Sequence, residues 1–290
     1  MRRLAALALA GLAALPATVL PVLADPHPEA RRVLAIGGSV TEIVYALGQQ
    51  DRLIARDTTS VYPPEVAELP DIGYMRQLSS EGVLSVAPDL ILSEEGAGPP
   101  ETIAVLKEAG IPFETIPAGK DPEGLAAKIE AVAEALGVPD AAGAPVAALR
   151  ADLDRLSAAA GGETDRKRVM FVLSVQGGRI MASGLGTEAD AIIRLAGAEN
   201  AVADFDGYKF LTDEAVIAAA PDVILMMASS EARANFDAAD AEVLAMPAIS
   251  TTPAAKAGTL IRMDGLYMLG FGPRTGQAAL ELHDAIYGGV

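Results

Sequence analysis

The chain has 290 residues, a formal charge of −17, two histidines, and neither cysteine nor tryptophan. An acidic balance of this size repels nucleic acid and anionic lipid. The missing cysteines exclude disulfides, thiolate metal sites and cysteine nucleophiles, and with only His27 and His283 to supply imidazole, zinc enzymology is disfavoured too.

Arg2 and Arg3 precede an apolar run from Leu4 to Leu20, and small residues follow to Ala24. The pattern predicts a secretory signal peptide over residues 1–24, with the mature chain beginning near Asp25. The run is short for a bilayer span of about 20 residues and is broken by Pro16. Its removal takes away two arginines and no acid, which moves the formal charge from −17 to −19. No cysteine follows to accept a lipid, so the expected location is free in a periplasm. No later charge-free apolar stretch reaches membrane length, so stable membrane insertion is not expected.

Arg32 to Ile36 reads as a short strand, Gly37-Gly38-Ser39 as a turn, and Thr41-Glu42 as the first turn of a helix. Leu53-Ile54-Ala55 is the next strand. Glu81 to Ala87 predicts one or two helical turns, Asp89 to Leu92 a buried strand, Thr102 to Ala109 a helix, and Phe113 to Ile116 a strand. Pro122–Leu136 and Pro145–Ala160 are helical, the second with Leu149, Leu153 and Leu156 on one face. Strand, helix and strand then recur at Arg168–Leu173, Thr187–Leu195 and Pro221–Met227. Alternation at this spacing predicts an α/β fold with mainly parallel sheets covered on both faces.

The second half repeats the first. Residues 81–92, EGVLSVAPDLIL, align without a gap on residues 214–225, EAVIAAAPDVIL, so Glu81 and Glu214 each precede a Pro-Asp pair by seven positions. Thr41-Glu42, Leu47 and Gly48 find a weaker echo in Thr187-Glu188, Leu195 and Gly197. The repeated unit is a lobe. The expected organisation is a signal peptide (1–24), an N-terminal lobe (25–140), a connecting helix (141–165) and a C-terminal lobe (166–290). Two Rossmann-like lobes joined by a long helix leave a ligand cleft between them, where open parallel sheets present their strand ends.

With the opening Ile36-Gly37-Gly38-Ser39-Val40-Thr41-Glu42, the paired Glu-to-Pro-Asp segments and the connecting helix, the mature chain resembles the helical-backbone class of periplasmic binding proteins. That class delivers siderophores, cobalamin and haem to ABC importers. Asp71-Ile72-Gly73-Tyr74-Met75-Arg76-Gln77-Leu78-Ser79 resembles its haem-binding branch. The resemblance implies that haem is the transported ligand and that Tyr74 ligates its iron. A phenolate is a suitable donor to ferric iron, and Arg76, on the same face if the segment is extended, would favour the ionised phenol. It also implies docking of Glu81 and Glu214 on an ABC permease dimer with its ATPase subunits, downstream of an outer-membrane haem receptor.

Some haem-binding relatives carry a histidine in the loop after the first strand of the second lobe. Here that loop reads Ser174-Val175-Gln176-Gly177-Gly178, which favours a single haem with Tyr74 as its only side-chain ligand and leaves Met181 to packing. Arg179 and Lys209 are the candidate propionate partners, and Ser39, Thr58, Thr59 and Tyr208 are the polar groups near the expected cleft loops. His27 is expected in a mobile N-terminus and His283 in a structural role.

Three other readings stand beside this one. A ferric siderophore or cobalamin would occupy the same fold without needing Tyr74 at the metal. A haem chaperone without an importer would not need Glu81 and Glu214. An enzyme is disfavoured, because Ile36-Gly37-Gly38-Ser39 lacks the third glycine of a dinucleotide site, the Gly-Lys-Ser/Thr of a phosphate loop and the pattern of a nucleophile elbow.

Overall fold

A computed structural model describes residues 25–228 and 236–288. The expected signal peptide, residues 1–24, lies outside the described residues.

The N-terminal lobe is built from β1 (Val33–Ile36), α1 (Gly38–Ala46), β2 (Leu53–Arg56), α2 (Ser80–Ser85), β3 (Leu90–Glu94), α3 (Pro100–Glu108), β4 (Phe113–Ile116) and α4 (Pro122–Ala135). The four strands are parallel, in the order β2-β1-β3-β4. Strand alternation divides the apolar residues between two faces. Leu34, Ile36 and Ile91 pack under Val83 of α2 and Leu106 of α3. Val33, Ala35, Leu90 and Leu92 pack on Ile43 of α1 and on Leu125, Ile129 and Val132 of α4. Burial on both faces is why these strands read as unbroken apolar runs.

The connecting helix is α5, Gly143–Ala160. It is shorter than the 141–165 expected, because Pro139–Ala142 forms a separate 3₁₀ turn before it and Gly161-Gly162 follows its end.

The C-terminal lobe contains β5 (Arg168–Gln176), β6 (Arg179–Ser183), α6 (Glu188–Leu195), β7 (Glu199–Asn200), β8 (Tyr208–Phe210), α7 (Asp213–Ala219), β9 (Val223–Ala228), α8 (Phe236–Leu244), α9 (Pro247–Ser250), α10 (Pro253–Ala257), β10 (Leu260–Asp264), α11 (Gly265–Leu269) and α12 (Thr275–Tyr287). Strands β10, β9, β5 and β7 pair in parallel. The sheet then continues through the antiparallel pairs β5–β6 and β6–β8. Among the described residues, this ribbon has no counterpart in the first lobe.

The lobes share one apolar core. Leu149, Leu153 and Leu156 of α5 join Val33 and Ile43 on one side to Phe171, Ile192, Leu225 and Leu282 on the other. Among the described residues, no helix is long and apolar enough to cross a membrane.

Leu149 is 1 % exposed in the middle of that core. Leu149→Ala is expected to cost about 2–5 kcal/mol of unfolding free energy, read from urea denaturation, with both lobes unfolding in a single earlier transition. Two transitions, one of them at the wild-type midpoint, would contradict a shared core.

Candidate functional site

The loops at the C-terminal ends of β1, β2, β3 and β4 face those that follow β6 and β10, and among the described residues three cationic side chains make polar contacts between the lobes. On α4, Lys128 is only 1 % exposed. Its ammonium donates to Glu94 Oε1 at 2.7 Å, to Ser39 Oγ at 3.2 Å and to the carbonyl of Phe271 in the other lobe at 3.2 Å. Next to it, Arg274 pairs with Glu42 of α1, its Nε donating to Glu42 Oε2 at 3.1 Å. The Arg274 guanidinium lies 3.5 Å from the centroid of the Tyr62 ring and 4.9 Å from that of Tyr267. At the other end of the floor, Lys120 Nζ donates to the carbonyl of Gly186 at 2.8 Å and pairs with Glu188 at 3.1 Å.

Two glycines allow this closeness. Gly37 has φ +108°, and a Cβ there would stand 2.5 Å from Glu94 Oε2. At Gly38 a Cβ would stand 2.6 Å from the Thr59 carbonyl oxygen and collide with Leu266 of the opposite lobe. Asp57, fully buried, organises the loop between them, accepting from Gly37 N at 3.0 Å, Thr59 N at 2.9 Å and Ser60 Oγ at 2.7 Å.

Burial raises the pKa of Glu42, the Arg274 hydrogen bond and charge act against it, and Asp264 adds to the rise. The Arg274 guanidinium is opposed by burial, but its bonds to Glu42 leave its pKa raised. Tyr267 is pushed up to about 12 by burial and by the neighbouring Glu281.

Tyr74 is 40 % exposed. Residues 74–77 form a turn closed by Gln77 N donating to the Tyr74 carbonyl at 2.8 Å. The extended conformation assumed for a shared face of Tyr74 and Arg76 is therefore corrected to a turn on which both are exposed. Its base is braced: Ile72, Met75 and Leu78 are buried in the outer core, and Thr58 N donates to the Gly73 carbonyl at 3.0 Å while Gly98 N donates to that of Met75 at 2.9 Å. Asp71 accepts from Gly73 N, Thr58 Oγ1 and Arg56 Nη1. Thr58 and Thr59 thus support loops.

Across the cleft, cross-strand pairing places Ser183 opposite Tyr208 and Met181 opposite Phe210. Arg179 shares that face, its guanidinium 4.4 Å from the Phe210 centroid. The pKa of Tyr208 is raised by burial first and then by Glu188, while the Thr187 and Ser183 hydroxyls and the positive charge of Arg76 pull it down. Met181 is half-buried on the ribbon and lies outside the sealed core. Lys209 alternates to the opposite face of β8 from Tyr208, where its ammonium is 4.8 Å from the Phe205 centroid.

The structure corrects the reading of Ser39 as a ligand contact. It is 1 % exposed, and its hydroxyl is committed to Glu94 at 2.8 Å and to Lys128. The N-terminus is also tied down where mobility was expected: His27 donates Nε2 to Glu114 at 2.9 Å, and its carbonyl accepts from Arg52 Nη2 at 2.9 Å. His283 is buried against the Ala196 carbonyl and the Tyr287 ring. Among the described residues, no group of three or more His, Cys, Asp or Glu could hold a bare metal ion.

Glu81 and Glu214 are both exposed on the first turns of capped helices. Hydrogen bonds from its own backbone N–H and from the Thr212 hydroxyl hold the Glu214 carboxyl below the ordinary carboxylate range.

The sequence profile described as periplasmic binding protein matches residues 33–266. The chain belongs to this family. Two lobes, mostly parallel sheets and a cleft between them are the architecture of its solved members. The chain is 40 % identical to the periplasmic heme-binding protein BhuT, solved in complex with two hemes, with a TM-score of 0.81 over 88 % of this chain and 97 % of that one. It is 28 % identical to YvrC of Bacillus subtilis, an ABC transporter substrate-binding lipoprotein, over 89 % of this chain and 81 % of the relative. A shorter stretch of 89 residues, 31 % of this chain and 32 % of the relative, is 36 % identical to the vitamin B12-binding protein of Vibrio cholerae. The protein is thus a substrate-binding component of ABC import.

Sequence reading missed the contacts made by Lys128, Glu94, Arg274 and Lys120. Glu42 was read as a first-turn residue and as part of the opening motif and the repeat, and nothing in its spacing points to an arginine 232 positions away. The folded-state pKa of Glu42 lies above the unfolded value of about 4.3, so the folded chain holds this proton more tightly. Its stabilising contribution is full below that unfolded value and is lost as pH rises through the raised folded one. At pH 7, Arg274→Met alone is expected to cost about 3–5 kcal/mol, because it strands a buried carboxylate, whereas Glu42→Met/Arg274→Met should cost much less. Chemical denaturation of the double-mutant cycle checks this, and equal losses in the single and double variants would refute it.

Proposed function

We propose that this protein is an exported periplasmic carrier that takes up one ferric haem in the cleft and delivers it to an ABC permease. Tyr74 is the iron ligand, and Glu81 and Glu214 are the contacts with the permease subunits. The observation that carries the reading is the braced, exposed Tyr74 in a chain 40 % identical to a haem-binding protein over 88 % of its length, against 24 % identity over 90 % of its length to the solved vitamin B12-binding protein of Vibrio cholerae.

A phenol ordinarily ionises near pH ~10. The charge of bound ferric iron favours the phenolate. The Tyr74 turn would meet one face of a flat ligand, and the Tyr208, Phe210 and Met181 side of the ribbon supplies apolar surface for the other. Arg179 shares that face and is the propionate partner; Lys209, on the opposite face of β8, is set aside.

Cobalamin is the second reading, favoured by the 89-residue match. It makes no demand on a phenolate. A visible absorption titration of the mature chain with haemin, cobalamin and a ferric siderophore separates the two. The expected outcome is saturable high-spin ferric haem binding that Tyr74→Ala weakens about a hundredfold, or about 2.8 kcal/mol. Saturable cobalamin binding without a haem spectrum would keep the carrier and overturn the haem assignment.

A further inference from the structure

The helices bearing Glu81 and Glu214 are fastened to their lobes by the same construction. Each starts on a hydroxyl cap: Ser79 Oγ accepts from Gly82 N at 3.0 Å, and Thr212 Oγ1 from Ala215 N at 3.2 Å. Each ends in a left-handed alanine, Ala87 with φ 47° and Ala220 with φ 42°, followed by Pro-Asp. L side chains resist this conformation, so the surroundings must hold it. In both lobes an arginine at the entry to the first strand does so. Arg32 donates Nε to the Ala87 carbonyl at 2.8 Å and Nη2 to that of Val86 at 2.7 Å. Arg168 donates Nε and Nη2 to the Ala219 carbonyl at 3.0 and 2.9 Å, with Nη2 also reaching Ala201 O at 3.3 Å.

The Pro-Asp aspartate closes the device. Asp89 accepts from Arg32 N at 2.8 Å and returns its own N–H to the Arg32 carbonyl at 3.0 Å. Asp222 accepts from Arg168 N at 2.9 Å and returns its N–H to Arg168 O at 2.8 Å. Helices of six and seven residues have little stability of their own. A guanidinium on their last carbonyls satisfies groups the helix leaves unpaired and complements the negative end of the dipole.

We propose that Arg32 and Arg168 are positioning residues for docking, fixing how α2 and α7 sit on their sheets and so where the two carboxylates stand relative to each other. The inference rests on the docking role proposed above for Glu81 and Glu214. Both arginines sit at the N-terminal ends of β1 and β5, whereas the cleft loops are at the C-terminal ends of the strands, so they touch docking without touching ligand. A helix that keeps its docking orientation only part of the time weakens apparent affinity by that fraction.

The test measures binding of the full mature carrier, without cargo, to its cognate permease–ATPase complex in nanodiscs. Arg32→Gln/Arg168→Gln is expected to weaken that affinity about fivefold, with the haemin titration unchanged and amide exchange in α2 and α7 accelerated. Arg32→Lys/Arg168→Lys, which keeps the charges but loses the forked geometry, should restore part of the affinity. Unchanged affinity in a folded glutamine variant overturns the proposal. If that variant does not fold, unchanged affinity in Arg168→Lys overturns it instead. Wild-type affinity in Glu81→Lys/Glu214→Lys would show that the docking role itself is wrong, a result the arginine variants cannot mimic.

Discussion

Lys128 extends from α4 of the N-terminal lobe to the carbonyl of Phe271 in the other, with Glu94 and Ser39 taking its remaining hydrogen bonds. An ammonium at 1 % exposure is tolerable only with such a complete set of acceptors. The rest of the cleft depends on that arrangement. Glu94 must stay free of a Cβ at residue 37, Ser39 must stand at the head of α1, and the loop carrying Phe271 must approach closely enough for Arg274 to reach Glu42. Beneath these bonds runs the apolar core that both lobes share through α5. The floor is therefore packed interior, and packed interiors deform little.

Much of this was legible in the sequence. Unbroken apolar strands, leucines at helical spacing in α5 and the gapless repeat around Pro-Asp gave the two lobes, their parallel pairing and the connecting helix, because each is encoded locally. The antiparallel ribbon β6–β8 was not, since its strands are short and one of them, Tyr208–Phe210, has three residues and no periodic signature. The candidate site divides in the same way. Tyr74, Arg76 and the two repeat glutamates were singled out through the family resemblance and the repeat; the turn on which Tyr74 sits and the opposite faces of Tyr208 and Lys209 depend on long-range pairing. Ser39 misled because a serine after a glycine turn looks like a ligand contact, and only the buried Lys128 reveals where its hydroxyl is spent.

The lobes are alike where they are fastened and unlike where they face the cleft. Both have an arginine, a left-handed alanine and a Pro-Asp at the base of one helix. At the cleft the first lobe offers a tight turn braced by Asp71 and Thr58, and the second a ribbon carrying aromatic, thioether and guanidinium groups. The repeated part is concerned with holding the outer helices. The divergent part is what a bound molecule would meet.

The stiffness of the floor has a kinetic consequence. When little of the molecule has to rearrange on capture, little of the binding energy is diverted into reorganisation, and the gain falls mainly on the dissociation rate. A passenger held in this way leaves slowly of its own accord. Unloading on a useful timescale then calls for work done from outside, applied as a spreading force on the outer faces of the two lobes, with the shared core acting as the fulcrum.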